Sequence, residues 1–433
     1  MARLFTLSGM PLRLLLAWGM VLALLVSSVH GTPVEPLLAL AKREKLALLE
    51  SLKELVSIES DSRDLEGLAK LASLLVGRLQ VLGGQVELIA PGTDVYAMHD
   101  TPTKVGDMVR ATFAGTGTKR ILLIAHMDTV YPRGRLARQR FRIEGNRAYG
   151  LGIADDKQGI AVILHTLAIL QALPFKEYRT LTVLINGDEE LSSPASRGLL
   201  TKLGAEHDVV FSLEASRVKA DKVSLATSGI ATISLTVRGR ASHAGGSPER
   251  GVNALYELAH QILQTRDLSE PGVGLKLNWT LAAAGSHRNV IPATATATAD
   301  VRVQRVADYD RIEHRVRERM QNRLLPEAEV DLSFERRRPP LEATAASRAL
   351  AARAQQIYRE LGKELVVDER PEGGGTDAAF AALQAQAPVI ERLGLQGYGA
   401  HSAEAEYVLL DSIAPRLYLL TRLIMEVTGG RRP

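Results

Sequence analysis

Glu189 and Glu190 stand side by side at the end of residues 181–190 (LTVLINGDEE), just past an apolar run. Two neighbouring carboxylates at such a point suit two tasks, because one can bind a cation while the other, projecting elsewhere, moves a proton. The chemistry suggested is metal-assisted hydrolysis. Other groups that such a site needs recur along the chain. His126 and Asp128 directly follow the apolar run 120–125 (RILLIA), and residues two apart on extended chain project to the same side. His126 is a candidate metal ligand, and Asp128 the carboxylate that accepts its second N–H and fixes its tautomer. Asp155 and Asp156 lie within a glycine-rich stretch, 150–159 (GLGIADDKQG), that opens a helical pattern. A phosphate-cradling loop would not set two acids where anions must sit, so a cation suits it better; a helix N-cap is the plainer alternative. Glu214 ends the run 209–213 (VVFSL) and His401 lies among small residues in 397–402 (GYGAHS). The chain has no cysteine, which excludes disulfides, thiolate zinc ligands and a cysteine nucleophile.

The elements that must position these groups are legible as two patterns. Short continuous apolar runs at 120–125, 181–185 and 209–213, with helical periodicity at 159–173 and 194–203, read as buried strands covered by helices. Each such strand finishes at a candidate ligand, as expected of an open α/β sheet that binds at its carboxyl ends. Amphipathic helices are expected at 36–58 and 64–82. From about residue 226 the grammar changes. Segments 231–238, 275–282 and 293–303 alternate, 253–265 reads as a helix, Ile312, Val316 and Met320 mark another, and 329–334 reads as a last strand. The order β-α-β-β-α-β predicts a ferredoxin-like α+β unit inserted into a mostly parallel α/β domain.

At 433 residues with 46% hydrophobic content, the chain can fill two cores. The expected division is a signal peptide at 1–31, a catalytic domain at 32–225 and 337–433, and the insertion at 226–336. Residues 1–31 carry Arg3, Arg13 and no acid, with an apolar run at 14–26 that is shorter than a membrane span. Cleavage after Gly31 would leave no stable membrane anchor and an exported protein, periplasmic or secreted. Loss of the two arginines lowers the formal charge from +4 to +2. So balanced a surface, without a basic cluster or aromatic platform, argues against nucleic acid as a partner.

The stretches HMDTV, GLGIADDKQG, NGDEE, SLEAS, ASHAG, NVIP, GGGTDAA and GAHSAEAEYV together resemble the successive motifs of the two-zinc exopeptidase family of glutamate carboxypeptidases, aminoacylases, dipeptidases and desuccinylases. The resemblance runs from about Lys45 to the C-terminus. It is strongest to the folate-cleaving glutamate carboxypeptidase branch, through NWT at Asn278, ADVR at Ala299 and GGGTDAA. It implies two Zn2+ per subunit, with His126 and Glu214 on one ion, Glu190 and His401 on the other, and Asp155 bridging. Glu189 would be the general base for a water held between the ions, and a cis peptide is implied between Asp155 and Asp156. His243 in the insertion would steady the oxyanion from a second subunit, which implies a homodimer through the insertion. Lys222, Asn289, Arg302, Arg338, Gly373, Gly374 and Gly375 match positions that surround substrate carboxylates in glutamate-specific relatives. The substrate expected is a folate or another N-acyl glutamate. Broader aminoacylase, dipeptidase or desuccinylase action, or zinc-stabilised binding without turnover, are the alternatives. Gln158, Gly187 and Ala400 depart from the family pattern and bear on pocket shape.

Overall fold

The computed structural model describes residues 32–402 and 404–429; the expected signal peptide lies outside them. Helices α1 (Glu35–Val56) and α2 (Leu65–Val81) lead into strands β1 (Gln85–Ile89), β2 (Met108–Ala114) and β3 (Arg120–His126). Helix α3 (Gln158–Ala172), strand β4 (Thr180–Asn186), helix α4 (Arg197–Glu206) and strand β5 (Val209–Ser212) follow. Together with the late strand Val389–Ile390 they form a six-stranded sheet in the order β1, β2, β4, β3, β5 and Val389–Ile390. The last four strands in that order run parallel, while β1 and β2 are antiparallel additions at one edge.

The continuous apolar runs in β3 and β4 follow from burial on both faces. Ile121, Leu123, Val183 and Ile185 join the larger core, whereas Leu122, Ile124 and Leu184 join a second cluster with Leu200, Leu203 and Phe380. Alternate side chains of one strand therefore fill two different layers, giving helices on both sides of the sheet. Helix α3 is buried almost all round, as its uniformly apolar sequence requires, and it packs against α1 and the final helix Ile413–Val427. Helix α4 begins at Arg197 rather than at 194, because Ser192 and Ser193 turn with φ of 67° and 55° and delay the first helical turn.

The chain then builds β6 (Gly229–Arg238), α5 (Ala254–Gln264), β7 (Lys276–Ala284), β8 (Thr294–Val303), α6 (Ala307–Arg319) and β9 (Glu329–Arg338). These strands form a separate antiparallel sheet in the order β7, β8, β6, β9, the ferredoxin-like arrangement. Its inward residues, among them Ile233, Leu235, Ala297, Val301, Ile312 and Val316, make their own core. Strand β9 runs four residues beyond the expected end at 334. Its last residue, Arg338, is buried by parts of the first sheet's loops. Among the described residues, no helix is long and apolar enough to cross a membrane.

Candidate metal centre

The parallel register brings the carboxyl ends of β3, β4 and β5 to one edge, with His126 opposite Asn186 and Ile124 opposite Ser212. His126 is the last residue of its strand, Glu190 lies four residues past β4, and Glu214 two past β5. The loop carrying Asp155 turns at Gly152 (φ 67°), where a side chain would also collide with Thr129, and passes through one wide turn, Ile153–Lys157, before α3. The peptide between Asp155 and Asp156 is cis. Gly397 lets its strand approach the same loop, since a Cβ there would lie 2.8 Å from that of Ala154 and 2.9 Å from that of Ala215.

These elements bring five expected ligands into two trios that share Asp155: His126, Asp155 and Glu214, and Asp155, Glu190 and His401. His126 Nε2 lies 3.0 Å from Asp155 Oδ1 and 3.5 Å from Glu214 Oε1; His401 Nε2 lies 3.3 Å from Asp155 Oδ2 and 3.1 Å from Glu190 Oε2. Ligand atoms about 2.0–2.1 Å from a tetrahedral zinc stand about 3.3–3.4 Å apart, so these four separations are close to those around such an ion, and all the donor atoms of each trio lie within 4.8 Å of one another. The imidazole and carboxylate donor set fits as well.

Asp128 is wholly buried. One of its oxygens lies 3.3 Å from His126 Nδ1, which is also 3.1 Å from the Asp128 backbone carbonyl. The same carboxylate accepts the backbone N–H groups of Glu189 and Glu190 at 3.1 and 3.0 Å and the Ser62 hydroxyl at 2.7 Å. Glu189 is 7% exposed, and its side chain meets Arg338 at 2.9 Å. Burial pushes the Glu189 carboxyl well above the ordinary range, with Arg338 opposing. Burial, then the Asp155 charge, raises Glu190 to about 7, while bonds to Asp155 and Glu190 hold the His401 imidazolium up to about 11. Burial disfavours charge on His126, but Asp128, Asp155 and Glu214 outweigh it and raise its pKa. The cluster therefore holds protons that an arriving cation would displace.

Other expected residues are placed differently. Arg338 is 3% exposed and spans Glu189 and Asp377, so its guanidinium is occupied by protein carboxylates rather than presented to a ligand. Lys222 is likewise engaged, at 2.6 Å from Asp368 and 2.5 Å from Glu372. Arg302 bonds Asp300 twice and donates to the Gly373 carbonyl, which ties the insertion to the 373–375 loop. Gly374 and Gly375 line the cavity of about 280 Å³ onto which Asp155, Glu189, Glu190, Glu214 and His401 open, with His126 buried behind them; Gly373, beside them, takes φ 110°. His243 and Asn289 do not line it. They lie together on the exposed side of the insertion, where His243 pairs with Val290 and Asn289 accepts from Ala244 N.

Three groups escaped the sequence reading. Glu406 accepts the backbone N–H of Gly152, Ala154 and Asp155 at 2.8–3.1 Å and the Tyr131 hydroxyl at 2.6 Å, so it pins the Asp155 loop. Asp377 collects Asn186, Ser193 and Arg338. Arg392, outside every motif singled out, lines the cavity. Glu406 and Asp377 do lie within two of those motifs, GAHSAEAEYV and GGGTDAA, which was the available signal.

Residues 122–426 match the peptidase family M20/M25/M40. The chain belongs to that family. As an M20/M25/M40 peptidase it is 44% identical to Carboxypeptidase G2 of Pseudomonas sp. (strain RS-16) over 391 residues, 90% of this chain and 92% of the relative. Its fold is shared with the M20 family metallo-carboxypeptidase Sso-CP2 of Sulfolobus solfataricus (TM-score 0.68, 17% identity, 88% of this chain and 99% of that one). It is shared too with aminopeptidase PepT of Bacillus cereus (TM-score 0.70, 21% identity, 88% and 98%). Like other M20 metallopeptidases, the chain is metal-dependent.

Proposed function

We propose that this metallo-carboxypeptidase hydrolyses the amide bond to a C-terminal glutamate in N-acyl glutamates, folates among them, using two zinc ions. The observation that carries the reading is the pair of donor trios sharing Asp155 beside the buried Glu189. A stabilising cation alone would need no such second acid. The 44% identity to Carboxypeptidase G2 supports the carboxypeptidase direction of attack.

Bound at these trios, the ions would supply Lewis acidity, polarising the scissile carbonyl and easing deprotonation of water. Glu189 takes the proton of the attacking water and returns it to the leaving nitrogen. Asp128 keeps the His126 ring and the Glu189–Glu190 turn in one frame, so ligand and base stay in register. Arg338 limits where the Glu189 carboxylate can swing.

Export and a homodimer through the insertion belong to the same reading. Strand β7 is a sheet edge with an exposed outer half, and Leu255, Tyr256, Leu263 and Leu281 are exposed on that unit. His243 Nδ1 accepts from Gly245 N and Gly246 N, which leaves Nε2–H to face outward as a donor. From a second copy of the chain that donor could reach an oxyanion.

The test is a metal count per subunit together with initial rates on N-benzoyl-glutamate, N-benzoyl-alanine and N-benzoyl-lysine. Two zinc ions and a strong preference for glutamate are expected. Equal rates on the three would favour a broad aminoacylase instead.

A further inference from the structure

The residues first expected to meet substrate carboxylates are largely occupied. Arg338 is buried between Glu189 and Asp377, and Lys222 is held by Asp368 and Glu372. The cavity is nevertheless lined by two other arginines, Arg217 and Arg392. Arg217 is committed to Glu372 at 3.1 Å. Arg392 donates only to the Ala215 carbonyl at 2.8 Å, and among the described residues it forms no ion pair. The buried Glu391 carboxyl feels its charge without bonding to it.

Arg392 also occupies an unfavourable backbone conformation. Its φ is 67°, the left-handed region that glycine tolerates and a long side chain resists. The backbone on either side is fixed: Glu391 pairs with Ser224 in both directions, Leu393 N donates to Ser212, Gly394 N to Glu214, and the Arg392 carbonyl accepts from Arg416. Glycine would relieve the strain at no loss of these bonds, yet the position carries arginine. Its side chain lines the cavity and donates to the carbonyl of Ala215, the residue that follows Glu214 and itself a lining residue.

We infer that Arg392 is an anion-binding residue of the cavity that receives a carboxylate of the substrate. The inference rests on the carboxypeptidase reading for its location, but the ligand chemistry comes from this guanidinium itself. A planar fork suits a carboxylate held bidentately, and the walls of a small cavity strengthen that bond over its value in water. The carboxylate has three possible sources: the α-carboxylate of the released amino acid, its side chain, or the acyl group.

Matched substrates separate these sources. N-benzoyl-glutamate is compared with its α-amide, with N-benzoyl-glutamine, and with N-(4-carboxybenzoyl)-glutamate, for wild type, Arg392→Gly and Arg392→Lys. In Arg392→Gly the charged-to-neutral ratio of kcat/KM should fall roughly ten- to hundredfold in one pair, mainly through KM, and that pair names the carboxylate. Arg392→Lys should recover part of the ratio. The unfolding midpoint of Arg392→Gly should not fall, since the backbone is relieved. Ratios unchanged in all three pairs would overturn the assignment. If wild type hydrolyses none of these compounds, the carboxypeptidase reading fails. Calorimetry of glutarate binding to the metal-free protein then decides the anion site, and equal affinities in wild type and Arg392→Gly, or no binding to wild type, would overturn it.

Discussion

Asp128 Oδ1 accepts the backbone N–H of Glu189 at 3.1 Å, across 61 residues of sequence. One carboxylate thereby serves the histidine at the end of β3 and the turn that carries Glu189, the proposed base. Asp128→Ala should disturb both together. We expect metal affinity to fall about 10- to 100-fold and kcat to drop with it. Titration with a competing chelator and kinetics at saturating metal separate the two losses; a drop in affinity alone would confine Asp128 to the ligand.

Glu189→Gln keeps shape and removes the proton acceptor. Metal content should stay at the wild-type level while kcat falls by about 10²- to 10⁴-fold. Metal analysis and kinetics on one preparation check this. Loss of metal with activity retained would show that the carboxylate is a ligand and not a base.

Arg338→Ala should act through the folded state. It strips two carboxylates, Glu189 and Asp377, of their common partner in a buried setting. Breaking a buried pair costs about 3–5 kcal/mol when the remaining charge stays unpaired, and Glu189 lowers that cost by holding its proton. Denaturant unfolding of the metal-free protein measures it. A group that served only to hold substrate would raise KM and leave that unfolding unchanged.

Asp64 caps α2 by accepting from Gly67 N, and Arg133 bonds its carboxylate from the loop after β3. The Arg133 bond is the main cause that holds Asp64 below the ordinary carboxylate range. A depressed folded-state value means a contribution that is present above the unfolded pKa and is lost as pH falls through the folded one. Arg133→Gln should therefore move the Asp64 midpoint upward by NMR titration and weaken the acid dependence of α2. High salt should produce a smaller change of the same sign, because the pair is exposed.

The sheet and the insertion were legible because burial leaves a simple mark: unbroken apolar runs in β3 and β4, which feed cores on both faces, and alternation in β6 and β8, which feed one. The positions of His126, Glu190 and Glu214 could be read because each lies at or just past the end of such a strand. What stayed hidden depends on partners far apart in sequence. Nothing local marks Glu406 as the acceptor for the Asp155 loop 251 residues away, or shows that Arg338 is already claimed by Glu189. An arginine in a motif looks the same whether its fork is free or filled. The delayed start of α4 was missed for a similar reason, since two serines give little warning of a left-handed turn.

Strand β9 ends at Arg338, so the residue that steadies Glu189 is also the terminal link of the inserted sheet. Further back on the same strand, Glu335 and Arg337 grip His99 and Asp100 of the first unit. The strand thus joins the two bodies at both of these points. A tilt of the insertion would shift the guanidinium that holds Glu189, the proposed proton acceptor, so the seating of the inserted sheet and the placement of that carboxylate are one and the same geometry.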